Sequence, residues 1–549
     1  MGNQSSSNKV ETLPIDTTFK LPANIPVWPQ GGGFATGTIN IEGLKLFEIS
    51  TFNKVWRTLE GGPGNAGATF FEPAGVPEGF FTLGHYSQPN NTPLFGSILV
   101  AKDEPSTSGD NGALKKPVDY TLVWSSKSQK IKQDKVGYVW LPTAPDGYKA
   151  LGNVVTTTPE KPSLDKIRCV RSDLTDQCET HSWIWGPGKS SDDNGFNVFE
   201  VRPSNRGIHA PGVLVGTFLA LNGETTTTSS LPISCLKNTN MNFSSMPSLT
   251  QLQALLQAYS PLMYLHPDEK FQPASTKWYF TNGALLFKKG EESKPVPIDP
   301  TGSNLPQGGE NDGAFWLDLP ADKANRERVK KGDFKSFQAY VHAKPMFGGT
   351  FTDLAMWVFY PFNGPATAKV GLIDVPLGKI GEHIGDWEHL TLRVSNFNGE
   401  LRRVYLSQHS NGQWVEAPQL EFQSGNKSVA YSSLNGHAIY PKAGVVMQGL
   451  DEAGIKNETA KSDMVVDMGV GFEIVSGEYL GSAIVEPPWL NYLRQWGPKI
   501  SYDLAKELDK LKKVFPALQA LQDNLPNELL GEEGPTGPKL KRNWSGDEV

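Results

Sequence analysis

Nine histidines occur in 549 residues, and four of them, His383, His389, His409 and His437, fall within one stretch of 55. Two of the four sit in the acidic run Glu382-His383-Ile384-Gly385-Asp386-Trp387-Glu388-His389. Carboxylates and imidazoles together are the donor set of a divalent cation site. A strand beginning at Asp386 turns Asp386 and Glu388 to one face and Trp387 and His389 to the other, because successive side chains alternate. With His383 on the preceding loop, His383, Asp386 and Glu388 can then meet one cation. Such a set suits magnesium, calcium or manganese, and zinc less well because no thiolate joins it. His409, in Ser407-Gln408-His409-Ser410-Asn411-Gly412, and His437, after Asn435-Gly436, lie beside turn formers where strands end. Either completes the metal site from a neighbouring strand or caps its own turn. The plain alternative for the whole cluster is a set of ion pairs that ties strand to loop.

A metal-dependent hydrolase on this cluster would need a general base, for which Glu388 and His409 are the candidates. The sequence has no Gly-x-Ser-x-Gly elbow, phosphate loop or dinucleotide fingerprint. The expectation is therefore binding ahead of catalysis, with no residue assigned as catalytic.

The elements that must position these residues are mainly strands. Fifty-six Gly and 41 Pro punctuate the chain too often for long helices. In the second half, strands are expected at Trp278-Tyr279-Phe280, Ala284 to Phe287, Ala355 to Tyr360, Leu390 to Val394 and Val404 to Leu406. One amphipathic helix is expected on Leu249, Leu252, Leu255, Leu256 and Tyr259, and another on Leu504, Leu508, Leu511 and Val514 up to Pro516. The segment from Gly531, rich in Gly, Pro and charge, reads as surface.

The first half repeats. Gly-x-x-x-x-Gly occurs at Gly79 to Gly84, Gly147 to Gly152 and Gly207 to Gly212, and each copy follows an apolar-Trp pair, Val55-Trp56, Val123-Trp124 or Ile184-Trp185. Matched offsets in three copies predict three short sheets that bury one another around an axis. The fold class expected is mainly β: a threefold β-prism-like domain at 21–222, then a β-sandwich-like domain at 247–549 with a few peripheral helices. Residues 1–20 read as a flexible arm and 223–246, which include Glu224-Thr-Thr-Thr-Thr-Ser-Ser230, as the linker. The turns Pro77-Glu78-Gly79 and Pro145-Asp146-Gly147 fall at one end of the repeats and are candidate binding loops.

A net charge of −7 argues against nucleic acid as a partner. No apolar stretch is long enough to cross a bilayer and no secretory leader is legible, so a cytoplasmic protein, not secreted, is expected. Cys169, Cys178 and Cys235, odd in number and without metal-ligand spacing, fit free thiols. Met1-Gly2-Asn3-Gln4-Ser5-Ser6 matches the pattern for myristoylation of Gly2, which alone gives weak, reversible membrane binding.

Three runs, Lys161-Pro162-Ser163, Ile167-Arg168-Cys169-Val170-Arg171 and Asp173 to Glu179, resemble the plant vacuolar protein sorting-associated protein 62 family. They also resemble segments in plant relatives of large lipid-transfer sorting proteins. The likeness continues through Tyr259-Ser260-Pro261, His266 to Glu269, Asn304-Leu305-Pro306, Phe362 to Pro365 and Gly531 to Pro538. The run around Asp386-Trp387-Glu388 is similar to the Gly-His-Arg-His-Asp-Trp-Glu heptad of necrosis-inducing cytolytic proteins. That resemblance implies metal-ligand roles for His383, Asp386 and Glu388. It departs at Glu382, where the heptad has Gly, and at Gly385, where it has its second His. Together these likenesses imply a peripheral membrane-binding or trafficking-associated protein that meets lipid headgroups or a trafficking partner, with a metal-dependent hydrolase and a metal-free interaction scaffold as the alternatives.

Overall fold

The computed structural model describes residues 12–548 apart from 105–111, 189, 192–194, 224–230, 241, 371, 410, 451–452, 500–505, 508, 511–512 and 514–534. The architecture is mainly β. Three consecutive segments of the first half each form a three-stranded antiparallel sheet with the second strand in the middle. They are Phe52–Arg57, Ala68–Pro73 and Tyr86–Pro89; Asp119–Ser125, Tyr138–Thr143 and Val154–Thr156; and Cys178–Trp185, Phe196–Pro203 and Phe218–Asn222.

The apolar-Trp pairs have a common geometric cause. In each copy the strand register shifts at the pair, leaving Val55, Val123 and Ile184 as the extra residues of bulges. A bulge breaks the alternation of faces, and the residue before each Trp packs on the same cluster as the Trp. The three indoles meet, with centroids 6.1 Å apart for Trp56 and Trp124, 5.6 Å for Trp56 and Trp185, and 5.6 Å for Trp124 and Trp185. The glycine pattern holds at two copies only. A Cβ on Gly84 would come within 3.0 Å of the Gly152 Cα and 2.8 Å of Thr217, so these three backbones converge. The third copy thus presents Thr217 at this point, five residues beyond Gly212, which lies in the short strand Gly212–Val213.

The second half is organised by one six-stranded sheet. Its strands are β1 (Ala339–Met346), β2 (Phe351–Asn363), β3 (His383–Ser395), β4 (Leu401–Gln408), β5 (Asn411–Glu416) and β6 (Phe472–Ser476), in the order β5-β4-β3-β2-β1-β6. All neighbours are antiparallel except β1 and β6. Alternation sends Leu390, Leu392 and Val394 of β3 into a core with helix α1 (Leu249–Tyr259), whose Leu252, Leu255, Leu256 and Tyr259 are fully buried. Ser248 and Gln251 cap this helix reciprocally, so its start is fixed locally. The other face carries Trp357, Phe359 and Trp387 against Tyr279, Trp489 and Trp496.

Two expectations are corrected. Trp278-Tyr279-Phe280 is helical, within Thr276–Thr281, because the Ser275 hydroxyl accepts the Trp278 N–H at 3.0 Å and caps a turn that buries Tyr279 and Phe280. The segment from Gly531 is not a surface tail where it is described: Trp544, Asp547 and Glu548 are buried against the central sheet. Residues Leu504, Leu508, Leu511 and Val514 lie outside the described residues.

The two halves are joined by specific polar contacts. The Asn238 side chain donates to the Gly348 carbonyl at 2.6 Å, and the Ser395 hydroxyl donates to Glu48 at 2.9 Å. Phe19, Leu21, Trp28 and Phe34 pack into the core of the second half.

Because Trp56 is fully buried in the three-indole cluster, Trp56→Ala is predicted to cost about 3–5 kcal/mol of unfolding free energy. Denaturant titration checks this, and a loss below about 1 kcal/mol would mean that the cluster does not organise the first half.

Candidate functional site

The site begins where the central sheet comes apart. The ladder between β3 and β4 runs only as far as the pair Leu390 and Leu406. Beyond it the His389 N–H donates to the Ser407 hydroxyl at 3.1 Å instead of to a backbone carbonyl, and that hydroxyl donates to Glu388. The gap opens into a cavity of about 420 Å³, lined by His383, Asp386, Glu388 and His389 from β3 and by Ser407 and His409 from β4 and its exit. Residues from both faces of β3 therefore reach one space, which simple alternation did not predict.

Gly385 sets the local backbone. Its φ of +70° is left-handed, and a Cβ would sit 2.3 Å from the Trp496 carbonyl oxygen. No side chain fits there, which explains the departure from the heptad at this position.

Each of the three central donors is pinned by a neighbour. His383 Nδ1 donates to the Gly385 carbonyl at 3.0 Å, which turns Nε2 toward Asp386 Oδ1, 4.0 Å away. Asp386 Oδ2 accepts from His437 Nδ1 at 3.0 Å. Glu388 Oε2 is held by Ser407. Among the described residues, His383 Nε2, Asp386 Oδ1 and Glu388 Oε1 have no hydrogen-bond partner, which leaves a lone pair free on each.

His437 plays a different part. Its other nitrogen, Nε2, donates to the Phe271 carbonyl at 3.1 Å and lies 3.8 Å from Glu269 Oε2. With acceptors at both nitrogens the ring must carry two protons, so it is a cation with no lone pair for a metal. Burial opposes that charge, but the hydrogen bond to Asp386 and the nearby Glu269 carboxylate overcome it and push the imidazole up to about 9. The ring lies flat on Tyr360 at 3.7 Å. The same pairing, together with the nearby His383, outweighs burial at Asp386 and lowers its carboxyl. Burial and the Asp386 charge push Glu388 up to about 8, and burial lowers His383. His409 lines the cavity with φ +53° and Nε2 2.9 Å from Asn457 Oδ1, so it touches neither carboxylate. Among the described residues, no three His, Cys, Asp or Glu side chains stand close enough to grip an ion as they are placed. The chemistry of the donors does fit a divalent cation: one imidazole and two carboxylates, each with a free lone pair and a fixing partner.

One wall of the cavity comes from far along the chain. Pro535, Lys541, Arg542 and Asn543 line it. Glu548 anchors this segment through His389 Nε2 at 3.0 Å and the Thr391 hydroxyl at 2.5 Å, and Asp547 through Arg393 at 2.6 Å. Ser407, Lys541, Arg542, Asn543 and Glu548 were not singled out from the sequence; the basic run Lys539-Leu540-Lys541-Arg542 was the one available signal.

The family model for vacuolar protein sorting-associated protein 62 matches residues 15–548. The chain belongs to that family. No curated protein sequence matches it. Similar solved structures include GNIP1Aa from Chromobacterium piscinae, 22% identical over 39% of this chain and 40% of that one, with a TM-score of 0.29. Necrosis and Ethylene inducing Protein 2, from the causal agent of cocoa's Witches Broom disease, is 15% identical over 34% of this chain and 67% of that one, TM-score 0.20. NLPPya in complex with glucosamine is 13% identical over 41% of this chain and 73% of that one, TM-score 0.20.

In this member of the vacuolar protein sorting-associated protein 62 family, the other candidate positions lie away from the cavity. Pro77-Glu78-Gly79 and Pro145-Asp146-Gly147 are β-turns, closed by Phe80 N–H to Pro77 O and Tyr148 N–H to Pro145 O at 3.0 Å each. Both glycines have φ +79°, so the turns have a sufficient backbone reason for their residues. Gly2 lies outside the described residues. Among the described residues, no helix is long and apolar enough to cross a membrane.

The acid response of the anchored segment follows from Glu548. Burial alone would push its carboxyl up, but His389, Lys344 and Thr391 hold it down to about 2. An unfolded glutamate titrates at about 4.3, so the stabilisation is complete above that pH and disappears as pH falls toward about 2. We predict a loss on the order of 3 kcal/mol across this window. Denaturant melts against pH check it, with Glu548→Gln giving a shallower acid limb; identical limbs would contradict the anchoring role.

Proposed function

We propose that this vacuolar sorting-associated protein binds membranes peripherally through the cavity between β3 and β4, which holds a divalent cation on His383, Asp386 and Glu388 and a polar headgroup beside it. The observation that carries the reading is the three donors, each fixed by a neighbour and each left with a free lone pair. Two carboxylates and one imidazole favour magnesium, calcium or manganese over zinc. The cation would supply positive charge for a ligand's oxygen atoms; the protein's part is to orient the donors and shut out bulk water. Gly385 keeps the backbone close, His437 holds Asp386, and Ser407 holds Glu388. His409 faces the same space with Asn457 and offers polar contacts to a ligand instead of a fourth metal bond.

A cavity of this size suits a small headgroup, and the same enclosed volume would also admit a hydrolase's substrate, the second reading, with Glu388 the group that would move a proton. Headgroup release in vesicle samples separates the two.

Flotation of the full chain with phosphatidylcholine vesicles carrying plant sphingolipid or anionic lipid tests the proposal. The expected outcome is metal-dependent flotation that EDTA abolishes. His383→Ala should weaken it at least about tenfold, as second- and inner-sphere changes typically do. Flotation indifferent to EDTA and to His383→Ala would overturn the metal reading, and no flotation in any lipid would overturn the membrane one.

A further inference from the structure

The wall contributed by residues 535–548 carries positive charge that makes no direct ion pair within the cavity. Asp386 is paired with His437, Lys456 with Asp374 and Glu458, and Lys539 with Glu486. Lys541 and Arg542, unlike Lys539, line the cavity, and among the described residues neither stands in direct ion-pair contact, Lys541 acting on Asp386 and Glu388 only at longer range. They are not on a loose strand. The Lys344 ammonium donates to the Asn543 and Gly546 carbonyls at 2.6 and 2.8 Å, and the Trp544 N–H donates back to the Lys541 carbonyl at 3.0 Å. Asp547 is gripped by Arg393 and, from the first half, by Arg206 at 3.1 Å. The two cations are therefore held at the cavity by a fixed backbone.

We propose that Lys541 and Arg542 form an anion subsite in this cavity, so that the headgroup it accepts bears a phosphate ester. The inference rests on the cation reading above in one respect: an ion on Asp386 and Glu388 neutralises the carboxylates nearest Lys541 and frees its ammonium for a ligand. A guanidinium presents paired N–H groups that match two phosphate oxygens, and an ammonium adds a point charge. Sugar or polyol hydroxyls would then lie toward the acidic end and the phosphate toward the basic end. The phosphate ester can belong to a membrane lipid or to a soluble polyol phosphate.

The test uses the full chain with Mn²⁺ and two probes, glycerol phosphate and glycerol, by calorimetry. The expected result is glycerol phosphate binding at least about tenfold tighter than glycerol, the scale of one charged hydrogen bond. Lys541→Ala with Arg542→Ala should erase that preference while Mn²⁺ binding persists, and Lys541→Arg should keep it. Vesicles of phosphatidylcholine with phosphatidylinositol that displace glycerol phosphate assign the ester to a lipid; failure to displace it assigns a soluble phosphate. Equal affinity for the two probes in the wild type, or an unchanged preference in the double alanine variant, overturns the subsite. Absence of Mn²⁺ binding by the wild type overturns the cation reading and with it the freeing of Lys541, while a glycerol phosphate preference that the double alanine variant lacks still establishes the anion subsite.

Discussion

A guanidinium buried in the middle of a sheet must be paired, and Arg393 on β3 shows what that requirement builds. It is about 1% exposed. Its cross-strand neighbour Asp353 accepts two hydrogen bonds at 2.7 and 2.6 Å, and Asp547 adds a third at 2.6 Å. Removing one partner from such a group costs about 3–5 kcal/mol, because the remaining charge stays out of water. Arg393 therefore draws in residues 154 positions away. Asp547 also meets Arg206, so the same contact fastens the first half to the second. The segment that precedes this anchor forms a wall of the cavity.

The second constraint is the early end of the ladder between β3 and β4. Where backbone pairing stops, polar side chains take over, Ser407 to His389 and Glu388, and His437 to Asp386. Each satisfies a buried group that would otherwise be costly. The strain accepted at His409 and His437, both with positive φ, is a local cost of about 1–2 kcal/mol each. It is spent where the side chains converge, and the result is a fixed cluster of polar side chains in place of a continuous sheet.

Much of this was legible in the sequence because its causes are local. The apolar-Trp pairs mark bulges, and a bulge is made by neighbours in the chain. The spacing of Leu252, Leu255 and Leu256 likewise fixes one face of α1. The grouping of His383, Asp386 and Glu388 was visible because all three lie on one strand. The remainder depended on distant partners. Gly, Pro and charge in 535–548 read as surface because nothing in that segment shows that Arg393, His389 and Lys344 await it. Trp278-Tyr279-Phe280 has the composition of a strand, and the Ser275 cap decides otherwise. Gly212 matched the repeat by letter, yet Thr217 occupies the converging position, since geometry there requires closeness and not glycine itself.

Whether His383, Asp386 and Glu388 hold one divalent cation decides what the cavity binds. A crystal of the full chain grown with Mn²⁺ and read by anomalous scattering tests it most directly. One peak is expected within bonding distance of His383 Nε2, Asp386 Oδ1 and Glu388 Oε1, with His437 still hydrogen-bonded to Asp386 and outside the coordination sphere. A cavity without a peak, or a peak bound through His437 in place of these donors, would contradict it.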